Sequence, residues 1–301
     1  MSGRSGFLER NLKFIFPLPA VICVFLLMIF PVFYTLFISF TDWRLTATGA
    51  LSFSGLESYR VILGDSRFHM AFFRTFIFTL GAVTAQAILG TFIALVLHRE
   101  FKGKGFLKFM MLLPLLVTPV AIGILFTFLF DSASGFFNFV LTGFGLPPAD
   151  WINDSILVLP SLILVDVWHW TPLIAIIVLA GLSSLPREPF EAAKIEGASA
   201  AQVFFHITLP MILPFVLTAI TLRLTDALKT YDIIAAITGG GPDFASETLI
   251  MYAFGLSFES NEYFAMGRAA ATLLFLFLIV LLFSAAVINV RRKLTPGSGI
   301  N

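Results

Sequence analysis

The sequence predicts an all-α integral membrane protein: six transmembrane helices with a cytoplasmic helical insert between the fourth and fifth. Three observations carry this. Apolar side chains make up 58% of the 301 residues and charged ones 12%, about half of the roughly 25% usual in a soluble domain. Six apolar runs, at 15–40, 72–97, 109–130, 156–182, 211–237 and 269–290, each reach the about 20 residues a helix needs to cross the hydrocarbon core. Backbone facing lipid finds no outside hydrogen-bond partner, so runs of this length are helices. The net charge of +1 gives no reason to expect nucleic acid as a partner.

In chain order, residues 1–14 form a cytoplasmic N-terminus rich in Gly, Ser and basic groups. The first span is too long for the core of a signal peptide and is expected to be retained. It holds Cys23, the only cysteine, so no disulfide framework exists within the chain and Cys23 is expected to be a buried packing residue. A loop of about 30 residues follows at 41–70, with Trp43, Gly55, Tyr59 and Asp65. It is expected to fold as a cap, either seating an outer partner or covering the first two helices. The second and third spans are joined by the basic turn HREFKGKGFLK. An insert at 186–210 joins the fourth and fifth, and residues 291–301 form a cytoplasmic tail.

Orientation follows from the cations outside the spans. Arg4, Arg10, Lys13, Arg99, Lys102, Lys104, Lys108, Arg187, Lys194, Arg291, Arg292 and Lys293 fall on one side if both termini do. The other side has Arg44, Arg60, Arg67, Arg74 and Arg268. The excess of Lys and Arg in cytoplasmic loops then puts both termini, and the insert, in the cytoplasm.

The insert contains EAAKIEGASAAQVFFHITLP at 191–210. Pro186 and Pro189 precede a predicted short helix over 188–196, because Pro is tolerated in a first turn. Gly197 is a natural stop, being free to adopt the left-handed cap conformation. Ser199 and Gln202 fit a capping box that starts a second helix at Ala200, carrying Val203, Phe204, Phe205 and Ile207. Pro210 and Pro214 mark re-entry into the bilayer. Ala192, Ala193, Ala198, Ala200 and Ala201 allow a second surface to approach closely, and Glu191 sits at a helix start where the dipole favours it. A helix that merely rests on headgroups is the competing reading, but it should be rich in Lys and Arg on one face. Only Lys194 is present, offset by Glu191 and Glu196, which favours a protein partner.

The pattern Glu191-Ala192-Ala193, three residues, Gly197, nine residues, Ile207, one residue, Leu209-Pro210 resembles the cytoplasmic signature loop of permease subunits from bacterial binding-protein-dependent, ATP-driven importers. FSGLESYRVILGDSRF, VWHWTP, AGLSSLP and RLTDALKTYDIIAAITGGGP look like the carbohydrate branch of that family, with maltose- and glycerol-phosphate-type permeases. Glu196 stands where the family more often has Asp, and His169 where another polar or basic residue is common. The resemblance implies the type I ABC importer fold in the bacterial inner membrane. It also implies that the insert is a coupling helix, with Glu191, Ala192, Ala193, Gly197, Ala198 and Ser199 docking on an ATPase subunit. The implied partners are a second permease of a different chain, two ATPase subunits that bind ATP and Mg, an extracytoplasmic sugar-binding protein, and membrane lipid.

No G-x-x-x-x-G-K-[ST] cradle, HExxH or GxSxG occurs in the chain. His69, His98, His169 and His206 lack metal-ligand spacing. The chain is therefore expected to be no catalyst by itself, and to hold neither metal nor cofactor.

Ionisable groups inside a span are expensive and point to function. The fourth span carries Asp166 and His169 with Trp168 and Trp170; the fifth carries Arg223, Asp226, Lys229 and Asp232 at steps of three. Such spacing permits a self-neutralising ladder on one helix face, Asp226 serving Arg223 and Lys229, and Asp232 serving Lys229. The ladder either holds helices together or lines a sugar path, where Arg223 or Lys229 would pair with an anionic sugar derivative. Trp168 and Trp170 either pack or stack on sugar rings, and His169 bonds a substrate hydroxyl or a neighbouring helix. A proton-coupled secondary transporter using Asp166, Asp226 and His169 is the second reading, which inverted repeats would favour; no repeat is evident. A membrane-embedded enzyme is the third. The residues do not name the cargo: a neutral oligosaccharide, a polyol, a glycerol phosphate or a sulfonated sugar all fit.

Overall fold

The computed structural model describes residues 16–45, 51–258 and 264–294. The expected N-terminal segment 1–14 and the last residues of the tail lie outside them. The helices are α1 (Leu18–Ser39), α2 (Glu57–Gly64), α3 (Ser66–His98), α4 (Lys104–Leu116), α5 (Pro119–Leu129), α6 (Phe136–Gly143), α7 (Val158–Ser183), α8 (Glu188–Ile195), α9 (Ala200–Ala227), α10 (Asp232–Ile237), α11 (Leu249–Phe258) and α12 (Met266–Leu294). Among the described residues, α1, α3, α7, α9 and α12 are long and apolar enough to cross a membrane, and the pair α4–α5 makes a sixth crossing if counted as one span. Helices α1 and α9 each include a turn with wider i→i+5 bonding, at Phe25–Ile29 and Phe204–Thr208.

By internal contacts the chain divides into two units. The first comprises the described parts of 1–65 together with 253–275. Its α1 is almost bare: Phe25, Leu27, Met28 and Phe33 are all exposed. Cys23 lies on this bare helix and is exposed, not buried as expected, because none of the described residues of its own unit covers that face. The loop after α1 is a folded cap on the start of α12. Thr41 bridges Phe53, the Ser39 and Tyr59 hydroxyls are 2.7 Å apart, and Gly267 lies so close to the Thr41 carbonyl that a Cβ could not fit.

The second unit comprises 66–252 and the described residues from 276 onward. Its spine is the pairing of α3 with α7, made close by small residues: Gly81 faces Ile163, and Gly90 faces Ile174 and the Ala175 backbone. Helices in lipid gain little from hydrophobic association, so such close approach is what holds them. Gly181 admits the Phe215 ring of α9 in the same way. Two apolar clusters form, one with Phe78, Ile122, Phe126, Leu162 and Ile233, the other with Ala94, Ile174, Val178, Ile212 and Val216. Glu247, just before α11, receives Arg67 in a two-point ion pair, Nε to Oε2 at 2.9 Å and Nη2 to Oε1 at 2.7 Å.

Two spans depart from the expected continuous helices. The third, expected at 109–130, is α4 and α5 bent by 101° at Val117 and Thr118. Thr118 precedes Pro119 and is extended, with ψ 145°, as the proline ring demands of the residue before it. The fifth, expected at 211–237, ends at Ala227; residues 228–231 are irregular and Asp232 opens the separate α10. At its other end α9 runs back unbroken to Ala200, so the second helix of the insert and the fifth span are one rod.

Candidate functional site

The insert between α7 and α9 is rigid by construction. Helix α8 begins with Pro189 in its first turn and has Glu188 and Glu191 there, where negative charge suits the helix dipole. It ends in a Schellman motif: the Ala198 N–H donates to the Ala193 carbonyl at 2.9 Å and the Gly197 N–H to the Lys194 carbonyl at 3.3 Å. Gly197 has φ +75°, a conformation only glycine adopts without strain. Ser199 then caps α9, its Oγ accepting from the Gln202 N–H while its own N–H donates to Gln202 Oε1 at 2.8 Å. This is the capping box the spacing predicts.

The docking candidates do not share one environment. Ala192, Gly197 and Ser199 are exposed and Ala198 is half-buried, whereas Ala193 is buried. Glu191 and Lys194 border a cavity of about 750 Å³ that Arg99, Arg187, Phe190 and Phe204 also line. Sequence reasoning passed over Ile195, which is 88% exposed at the end of α8. Its exposure could have been inferred from its position on the helix face opposite Ala193.

Inside the span region, α3, α7 and α9 meet at a closed polar triangle. Arg223 donates from Nη2 to Asp166 Oδ2 at 2.8 Å and from Nε to Gln86 Oε1 at 2.9 Å. Gln86 Nε2 donates to Asp166 Oδ2 at 2.8 Å and to the Asp166 carbonyl at 3.0 Å. All three side chains are buried. Asp166 lies eight residues into α7, about 12 Å along the helix. On α3 and α7 the triangle falls between the residues of the two apolar clusters.

This corrects the expected ladder. Arg223 pairs across helices with Asp166, not along its own helix with Asp226. A buried carboxylate left alone would cost far more than an exposed one, so the guanidinium goes to Asp166. Among the described residues Asp226 has an ion pair only with Lys229, at 3.8 Å, and both are about half exposed. Asp232 is on a different helix and cannot extend the series. Gln86 was not singled out from the sequence, since a lone neutral polar residue in an apolar run gives no periodic signal.

A second feature is a polar cavity of about 260 Å³. Trp170, Arg223, Asp226, Lys229 and Asp232 line it, with Pro119 at the start of α5. The Arg223 guanidinium carbon sits 4.8 Å from the Trp170 ring centre, which fixes both. Five of the eight substrate-path candidates therefore come together. The other three do not line this cavity. Asp166 is buried beneath Arg223, His169 is buried with its ring 4.6 Å from that of Trp170, and Trp168 faces an apolar groove with Leu89, Phe92, Met110 and Leu164. Asp166 Oδ1 and His169 Nδ1 find no hydrogen-bond partner in the described chain.

Residues 86–296 match the family described as binding-protein-dependent transport system inner membrane component. The chain belongs to this family. As a member, it is a multi-pass inner membrane permease component of a transport system. It is 35% identical over 287 residues to a probable ABC transporter permease protein of Sinorhizobium fredii, covering 95% of this chain and 91% of that one. It is 32% identical over 292 residues to the trehalose/maltose transport system permease protein MalF of Thermococcus litoralis, covering 97% of each. Its fold matches a chain of a bacterial ABC transporter involved in the import of the acidic polysaccharide alginate, with TM-score 0.82 at 19% identity, over 96% of this chain and 98% of that one. The inner membrane component thus has the ABC importer permease fold. The family match spans the capped insert, the triangle and the polar cavity.

Proposed function

We propose that this chain is a transmembrane subunit of an ATP-driven carbohydrate importer. It receives its cargo from an extracytoplasmic binding protein and takes its driving force from separate ATPase subunits. The observation that carries the proposal is the insert: two helices capped at their junction, with Ile195 bare at the tip and α9 continuing unbroken from Ala200 into the membrane. A movement of the insert is transmitted along a single rod to Arg223 and the cavity, which is what switching between two packed states requires. Glu191, Ala192, Gly197, Ala198, Ser199 and Ile195 form the docking surface, with Ala193 holding it from inside. ATP and Mg belong to the ATPase partners, and the chain itself carries no phosphate cradle. A second permease of a different chain completes the path. Both termini and the insert lie in the cytoplasm, as the distribution of Lys and Arg requires. Relatives named for trehalose and maltose, and a structural neighbour that imports alginate, support carbohydrate as the cargo class.

The proton-relay reading is weakened by the triangle, since Asp166 is held by Arg223 and Gln86. Affinity capture of the tagged chain from native membranes in mild detergent tests the proposal. Mass spectrometry should find a P-loop ATPase and a second six-span permease, and proteoliposomes of that complex, given the binding protein outside, should accumulate carbohydrate only with ATP trapped inside. Repeated recovery of the chain alone, with uptake that follows a proton gradient, would overturn it.

A further inference from the structure

We infer that the cavity between the insert and the ends of α3 and α7 binds an anionic phospholipid of the cytoplasmic leaflet, with Arg99, Arg187 and Lys194 holding its phosphate. The inference does not depend on the cargo; it rests on the cytoplasmic orientation of the insert proposed above. The cavity, about 750 Å³, is walled by four elements of this chain: the ends of α3 and α7, helix α8 and the start of α9. It stands where α3 and α7 end, at His98 and Ser183, which is the level of the lipid headgroups. Arg99, Arg187 and Lys194 line it, against one carboxylate, Glu191. None of these three cations has an ion pair among the described residues. Glu100, next to Arg99 in the chain, is held by Lys104 at 2.8 Å.

The wall decides which anion fits. Arg99 and Arg187 offer guanidinium forks that meet two phosphate oxygens at once, and Lys194 adds a point charge. Leu95, Leu182, Phe190 and Phe204 line the same space. A free phosphate gains nothing from that apolar side, whereas a lipid lays its first methylenes there. Basic pockets at the cytoplasmic ends of membrane helices take anionic headgroups, and the anionic lipids of that leaflet supply the ligand. The docking face is a different one. Arg187, Phe190, Glu191 and Lys194 are spaced i, i+3, i+4 and i+7, along one face of α8 and its cap, while Ala192 and Ile195 lie on another. Glu191 alone belongs to both. Drawn towards an ATPase subunit, it leaves the cavity more positive. A lipid held here ties α8 to the ends of α3 and α7.

The test is photocrosslinking of the chain with its co-purifying subunits, in vesicles of phosphatidylcholine and phosphatidylglycerol in a four-to-one ratio. The phosphatidylglycerol carries a diazirine near the start of one acyl chain. The expected adduct lies on residues 182–190 and 203–208, which line the cavity, and a phosphatidylcholine probe of the same design should give about tenfold less. Arg99→Gln with Arg187→Gln should lower the adduct about tenfold or more, and Arg99→Lys with Arg187→Lys should keep most of it. Lys102→Gln with Lys108→Gln removes the same charge outside the cavity and should leave the adduct unchanged. Equal labelling by the two probes, or an adduct that survives Arg99→Gln with Arg187→Gln, would overturn the inference. An adduct displaced by inorganic phosphate, but not by chloride of equal ionic strength, would also overturn it, because the site then serves a soluble anion. An adduct present in the isolated chain and missing from the complex would give the cavity to the ATPase and overturn it too. Capture of the lipid while Lys194→Cys is labelled from outside the cell would overturn the orientation and the assigned leaflet, and leave the site standing.

Discussion

Arg223 shows how a single side chain changes its meaning between sequence and structure. Read along the chain, its neighbours at steps of three are Asp226 and Lys229. Read in space, it closes a triangle with residues 57 and 137 positions away. The energetic consequence is large. Removing one partner of a buried ion pair costs about 3–5 kcal/mol, whereas replacing both by apolar groups of similar volume is often neutral. Arg223→Ala should therefore lower the melting temperature of the detergent-solubilised chain sharply. Combining Arg223→Met with Asp166→Leu and Gln86→Leu should recover most of the loss. A triple variant no more stable than Arg223→Ala would show that the triangle is not the source of the effect. Lys229→Met serves as the contrast. Its pair with Asp226 is half exposed, such pairs contribute only about 0–1 kcal/mol, and its melting temperature should hardly move.

At the scale of elements, the insert and the bent pair make separable predictions. Gly197 sits at φ +75°, so Gly197→Ala imposes a strain of about 1–2 kcal/mol at the joint between α8 and α9. Ser199→Ala removes the cap and costs about 1 kcal/mol. Both should loosen the insert and raise the ATP consumed per cargo molecule, measured in proteoliposomes. Ile195→Asp changes the docking surface alone and should abolish ATPase co-purification without altering the melt of the isolated chain. An equal loss of fold would place Ile195 in the insert's packing instead. In the bent pair, a Cβ at Gly123 would lie 2.5 Å from that of Ala236. Gly123→Ala should destabilise, and Gly123→Ala with Ala236→Gly should restore the melt, because the size exchange keeps the α5–α10 contact close.

These elements also show what can be read without coordinates. Long apolar runs, the Gly197 stop and the Ser199–Gln202 cap depend on neighbours within a few residues, so local sequence reveals them. The break at Val117 and Thr118 interrupts an apolar run without making it less apolar, and hydropathy alone passes over it. Pro119 was the one available signal. The triangle and the polar cavity depend on which helices meet. The identities of Asp166, Arg223, Trp170 and Asp232 stood out in the sequence, but their pairing did not, and Gln86 gave no signal at all.

At the scale of the molecule, orientation is the property on which the direction of transport depends, and charge asymmetry predicts it. Arg99, Lys102, Lys104 and Lys108 follow α3, and Arg187 and Lys194 follow α7, while no Lys or Arg falls between residues 131 and 155. In the proposed orientation this excess puts the α3–α4 turn and the insert in the cytoplasm, and the α5–α7 connection outside. Cys23 is the only cysteine, and it lies exposed on α1, so Cys23→Ser gives a cysteine-free background without touching the triangle, the cavity or the insert. Single cysteines placed at Lys194, on the insert, and at Ala133 or Ser155, on the α5–α7 connection, can then be probed with a membrane-impermeant maleimide. In intact cells with permeable outer envelopes, Ala133→Cys and Ser155→Cys should label fully and Lys194→Cys should not. In inside-out vesicles the pattern should reverse. Labelling of Lys194→Cys from outside would place the insert away from any cytoplasmic ATPase, and the docking role would fail with it, whatever the merits of the cavity.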